Sequence, residues 1–230
     1  GSPVLLNATG GDTNIGVTIT PKGSGVVILD GLTFPAADGS ANQIVKTNGS
    51  GVLSFVTAKG RSTLISETTI SSGTSVEQIT AKFSATYDYY IMEWLKIYPT
   101  TNDKDIRLRF LSGSTTSITA GYEYYGHAVE ASGGAPRAEA GQAAYIELSD
   151  EGVSNTAANN GCNGTMIIYN PYVAGPVSFN YHTVSAYSGG GPITFRAEGF
   201  EFDGTVRTGV EFYAESGNLE GGVVRIWGVN

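Results

Sequence analysis

The chain is short of several things that most enzymes use. Among its 230 residues there is one cysteine, Cys162, and there are two histidines, His127 and His182. A single thiol excludes internal disulfides and any multi-thiolate metal site. Two histidines and one cysteine cannot fill a tetrahedral zinc site without carboxylates, and no His-Glu-x-x-His or Cys-x-x-Cys spacing is present. A Gly-x-Ser-x-Gly elbow is also missing, so a serine hydrolase has no nucleophile motif. Cys162 has no neighbouring base in Asn159-Asn160-Gly161-Cys162-Asn163-Gly164 and reads as an inert thiol in a loop or at a strand edge. Charged residues make up only 15% of the chain, and no apolar run reaches the length of a membrane span. No charged-then-apolar leader opens the chain. The Gly1-Ser2 start reads as a cleavage remnant, so a fragment of a longer protein is expected.

What the chain has is turn chemistry. It holds 32 glycines and 8 prolines, together with 21 serines and 24 threonines, a composition foreign to helical bundles and coiled coils. The net charge of -8 repels phosphate, and no Lys/Arg cluster offsets it, so nucleic acid is excluded as a partner. The same charge predicts repulsion of anionic polysaccharide at low salt unless a divalent cation bridges the two.

Composition changes near residue 60. Residues 1–60 carry three lysines, three aspartates and two aromatics, Phe34 and Phe55. Residues 61–230 carry 10 basic and 18 acidic side chains, all 13 tyrosines and both tryptophans. About sixty residues form a marginal domain even with a good core, and this segment lacks one. Yet it is patterned: strand-like runs at Val17–Thr20, Val26–Leu29 and Val52–Val56 alternate with turns such as Asp30-Gly31 and Asn48-Gly49. Lys22-Gly23-Ser24-Gly25-Val26 returns as Lys46-Thr47-Asn48-Gly49-Ser50-Gly51-Val52. Short strands without their own core find one in a neighbour, so residues 1–60 read as a β-rich shaft completed by other copies of the chain. A disordered linker is the alternative.

Residues 61–230 show about ten strand-like runs: 76–83, 89–98, 106–110, 122–129, 143–148, 165–169, 177–184, 193–197, 206–213 and 223–227. Half-buried alternation with turns between them predicts a two-sheet, jelly-roll-like β-sandwich. The expected fold is therefore all-β, an intertwined stalk over 1–60 followed by a sandwich head over 61–230.

Candidate chemistry is sparse. Asp103 and Asp105 could offer hard oxygens to calcium, but Lys104 intrudes and no Asx-Gly or later Glu completes a loop, so a solvated hairpin tip is expected. Glu201 and Asp203 alternate with Phe200 and Phe202 and are expected to face solvent beside the Asp203-Gly204 turn. A glycosidase pair there is the remote alternative. Tyr87-Asp88-Tyr89-Tyr90 and Tyr122-Glu123-Tyr124-Tyr125 place aromatics on both faces of a strand, one for the core and one able to stack on sugar rings or on a second subunit.

Stretches of the first segment resemble bacteriophage tail-fibre shafts: Gly11-Asp12-Thr13-Asn14-Ile15, Ile19 to Gly25, Leu29-Asp30-Gly31-Leu32, and Asp38 through Gly51. Phe83 through Pro99, Gly164 through Pro171, Ser216 to Gly222 and Ile226-Trp227-Gly228-Val229 resemble the terminal β-sandwich of phage fibre proteins. The likeness skips residues 113–163. It implies a non-enzymatic, virion-borne homotrimer, attached to other tail proteins, that adsorbs to a host-surface glycan or protein without a cofactor, metal or membrane insertion. Receptor contacts in that family lie in variable distal loops, so the candidate contacts are hairpin-tip groups: Asn102, Asp103, Asp105, Tyr172 and Tyr187. A carbohydrate-binding module of a secreted bacterial enzyme is the alternative, and a polysaccharide depolymerase would need an acid pair that the sequence does not show.

Overall fold

The computed structural model describes residues 7–11, 13–16, 18–57, 62–130, 137–189 and 191–230, without the side chains of 137–143. It is all-β, 53% strand, with no α-helix among the described residues. The chain divides into two compact units, residues 1–60 and residues 61–230.

The first unit contains two small hairpins. Strands β1 (Ile28–Leu29) and β2 (Leu32–Thr33) pair antiparallel across Asp30-Gly31, whose φ values of 49° and 79° are both positive. That geometry is the primed turn whose twist matches a hairpin, and it explains an Asp-Gly pair at this point. Strands β3 (Gln43–Thr47) and β4 (Leu53–Thr57) form the second hairpin. Its Asn48 side-chain oxygen accepts from the Ser50 and Val52 amides at 2.8 and 3.1 Å, fixing the turn. The expected strand over 17–20 is not there: Thr18–Thr20 lie outside any strand, and Val17 lies outside the described residues. The run from Val26 shortens to Ile28–Leu29. Among the described residues no hydrophobic side chain before Ile70 is buried, while Ile19, Ile28, Leu29, Ile44 and Val45 are each at least half exposed.

The described residues of the second unit form thirteen strands: β5 (Ser62–Ile70), β6 (Glu77–Ile79), β7 (Tyr89–Pro99), β8 (Ile106–Ser112), β9 (Thr116–Ser117), β10 (Tyr122–Glu130), β11 (Arg137–Ala143), β12 (Ile146–Glu147), β13 (Cys162–Tyr169), β14 (Val177–Ala186), β15 (Pro192–Glu201), β16 (Arg207–Ala214) and β17 (Leu219–Val229). Eight build one antiparallel sheet in the order β11-β10-β15-β14-β13-β7-β17-β5. The others form a smaller curled sheet, β12-β8-β16-β6, with β9 paired to β8.

Period-two burial shows why these segments are strands. Along β10, Tyr122, Tyr124, Gly126 and Ala128 are buried while the residues between them are exposed. In β8 the apolar Ile106, Leu108 and Phe110 alternate with Arg107 and Arg109. The inner faces of the two sheets meet in one core, with Trp94 6.4 Å from Phe212 and Phe110 6.1 Å from Phe179 between ring centres. Inward glycines make room for these rings. A methyl group at Gly164 would stand 2.3 Å from the Trp94 indole, and one at Gly126 would stand 2.7 Å from Phe195. Cys162, expected in a loop or at a strand edge, is instead fully buried at the start of β13, an interior strand, where its sulfur accepts from the Trp94 indole N–H at 3.3 Å. Burial pushes its thiol up to about 12, which leaves it protonated and inert.

Candidate functional site

Strand register decides which side chains share the outer face of the large sheet. One rung across three neighbouring strands places Asn180 (β14), Glu198 (β15) and Tyr125 (β10) side by side. The next rung toward Tyr169 and Glu201 carries Tyr169, Ser178, Phe200 and Glu123. Adjacent strands lie about 4.8 Å apart and same-face neighbours about 6.7 Å apart, so these groups converge on a single patch. They line a cleft of about 450 Å³, within the size range of small-molecule sites.

The walls are aromatic. Tyr125 is 70% exposed, and Phe200, Phe202 and Tyr169 are each more than a third exposed. Phe200 and Phe202 stack on one another at 5.6 Å. Tyr169 packs near Tyr89 at 6.1 Å, and its hydroxyl accepts from the Asn180 amide at 3.2 Å. Exposed rings beside carboxylates and an amide suit a ligand with apolar faces and hydroxyl edges, which describes a pyranose.

The position of Phe200 and Phe202 corrects the expectation for Glu201 between them, whereas Asp203 is exposed as expected. Alternation holds, but its phase is the reverse: Glu201 is fully buried and both phenylalanines face out. Glu201 forms a fully buried ion pair with Arg207. Arg207 also donates to the carbonyls of Gly175 (2.7 Å), Thr205 and Glu201 (3.2 Å). The other Glu201 oxygen accepts from the Asp203 amide. Burying a carboxylate is tolerable only with such a partner and filled lone pairs, and the result is a rigid corner that holds both phenylalanines in the cleft wall.

The five contacts expected from sequence fall into two places. Asn102, Asp103 and Tyr187 lie past the Pro99 and Ala186 ends of β7 and β14, whereas Tyr172 follows β13 at the opposite end. Asp103 accepts from the Ser188 amide at 2.7 Å, and Asn102 accepts from the Asn155 amide at 3.0 Å, so both tie loops together. Tyr187 packs against the core, where the neighbouring Glu130 carboxylate pushes its hydroxyl up. Tyr172 is exposed, outside the cleft. Asp105 is not the solvated tip that was expected. It is part-buried and accepts from the Ser149 hydroxyl at 3.0 Å and the Gly152 amide at 2.9 Å. Of the cleft residues, sequence reasoning reached only Tyr125, through the doubled aromatics of 122–125; the others are brought together by register.

Asp105 also shares a hydrogen bond with Glu147. Burial, then the charge of Asp105, pushes Glu147 up to about 7, and burial raises Asp105. Folding thus holds a proton that the unfolded chain releases near the ordinary carboxylate value of 4.5. Raised acid pKa values make stability greatest in acid and lower it as pH climbs from about 4.5 to about 7, where the loss levels off. Glu147→Gln keeps a hydrogen-bonding group but cannot ionise, so its melting temperature is expected to fall less between pH 4.5 and 7.5 than that of the wild type. Parallel pH profiles for the two proteins would refute the shared-proton account.

No group of three or more His, Cys, Asp or Glu side chains arranged to hold a metal occurs among the described residues, nor does a helix long and apolar enough to cross a membrane. In comparisons with known protein families, curated proteins and solved structures, the chain matches none of them.

Proposed function

We propose that the chain is a non-enzymatic fibre protein of a bacteriophage virion that adsorbs, as a homotrimer, to a glycan of the bacterial surface through the aromatic cleft. The cleft carries this reading: four exposed rings, two carboxylates and an amide converge on one sheet face with no partner chain needed to complete them. The fibre setting is supported by the shaft-like motifs and by the uncovered apolar side chains of residues 1–60, which sister copies would bury. Three such clefts on one particle multiply weak single-site binding through effective concentration.

The test is saturable binding to immobilised bacterial lipopolysaccharide and wall-polysaccharide fragments. Tyr125→Ala, which removes the most exposed ring, is expected to weaken single-site affinity about tenfold, or ~1.4 kcal/mol. Absence of binding to every preparation, or unchanged affinity in the variant, would sink the reading. A second reading, a carbohydrate-binding module, is favoured by the completeness of the cleft within one chain. Solution mass separates the two, because the module is a 24.0 kDa monomer and the fibre is three times heavier.

A further inference from the structure

Chain-wide charge hides a local exception. The rung beside the Asn180–Glu198–Tyr125 row, on the side away from Phe200, is basic on three adjacent strands: His182 pairs with Arg196, and Arg196 pairs with His127. All three are exposed, and the groove that His127 and Arg196 line is continuous with the aromatic cleft through Tyr125, Asn180 and Glu198. Arg196 also differs from the other arginines whose side chains are described. Arg107, Arg109, Arg207 and Arg225 each hold a carboxylate. No ion pair of Arg196 occurs among the described residues, in a protein with an excess of eight acids. An unmatched guanidinium flanked by two imidazoles is a fork awaiting an anion.

From this juxtaposition we infer that the glycan carries an acidic substituent, phosphate or carboxylate, which docks on the His127–Arg196–His182 row while its sugar ring stacks on Tyr125. The inference rests on the cleft being a glycan site and names the glycan's chemistry. Tyr125 and Arg196 are diagonal cross-strand neighbours, about 7–8 Å apart, a separation suited to a pyranose and its exocyclic acid. Glu198 lies between the two and is placed to accept from sugar hydroxyls. Local charge, rather than the net charge of -8, then governs the contact.

The charged and titratable groups facing this row are Arg196 and Glu198 on β15, His127, Tyr125 and Glu123 on β10, His182 on β14 and Tyr169 on β13, with Glu93 on β7 across Thr165. Partial burial and the neighbouring Arg196 charge lower His182 from its ordinary value, so its contribution arrives only in mild acid. Affinity for the acidic group is expected to rise as pH falls and the His182 imidazole gains a proton.

The experiment is an NMR titration of the full chain with glucose, glucose 6-phosphate, glucuronic acid and inorganic phosphate at pH 5 and pH 8. At pH 5 at least one acidic sugar is expected to bind about fivefold or more tightly than glucose, and this preference is expected to shrink at pH 8. The stronger of the two acidic sugars assigns phosphate or carboxylate. Arg196→Gln is expected to erase the preference and leave glucose binding unchanged. If glucose binds and the acidic sugars bind no better, or if the preference survives Arg196→Gln, this inference alone is overturned. If inorganic phosphate binds as tightly as glucose 6-phosphate, the row is an anion site without a sugar and the inference is likewise overturned. If none of the sugars perturbs the cleft, the glycan reading itself falls.

Discussion

Replacing Glu201 with alanine is expected to cost about 3–5 kcal/mol, because it strands the Arg207 guanidinium in an interior with no counter-charge. Both side chains are fully buried, so water cannot screen what is left behind. At roughly 2–4 °C per kcal/mol for a unit of this size, the melting temperature should drop by about 10 °C. Replacing both partners with apolar residues of similar volume, Glu201→Leu with Arg207→Met, is expected to restore most of the loss. A single variant as stable as the wild type would show that the pair is not buried in solution. The corner also aims Phe200 and Phe202, so Glu201→Gln, which keeps the volume, should weaken glycan binding below the melting transition even though residue 201 touches no ligand.

Trp94→Ala is the second large effect. The indole is fully buried against Phe212 and over Gly164, and its N–H is satisfied by the Cys162 sulfur. Removing it empties the junction between the two sheets, and a loss of about 3–5 kcal/mol is expected from the missing contacts and the residual cavity. Denaturant unfolding followed by circular dichroism measures it. A loss below about 1 kcal/mol would mean that the sheets do not meet there.

Fold class was legible because strands announce themselves through alternation, and every one of the ten runs read in residues 61–230 contains a strand. Three strands were missed: β9, only two residues long beside β8, and β5 and β11, the edges of the large sheet. Ser62–Ile70 is rich in serine and threonine, and Arg137–Ala143 has no β-branched or aromatic residue, so neither shows a buried stripe. Edge strands have one neighbour and less to bury. Glu201 was misplaced for a different reason. Placing Glu201 with the exposed Asp203 beside the Asp203-Gly204 turn put it outside, whereas Ile193, Phe195 and Ala197 fix the phase from the other end and carry it inward. Its partner, six residues on and across the turn, is a tertiary fact with no local signature. The candidate cleft was largely invisible for the same reason, since cross-strand register alone brings Tyr169, Asn180, Glu198 and Tyr125 together.

The ring-on-glycine packing beneath β10 and β13 has a bearing on how such a surface could be retargeted. Odd and even positions of each strand answer to separate demands: the inward set is locked by indole and phenyl rings seated on bare backbone, while the outward set faces away from that core. Side chains at 123, 125, 127, 180, 182, 196 and 198 can therefore be exchanged in combination at little expense to folding, which makes this face a natural starting point for libraries of altered binding surfaces.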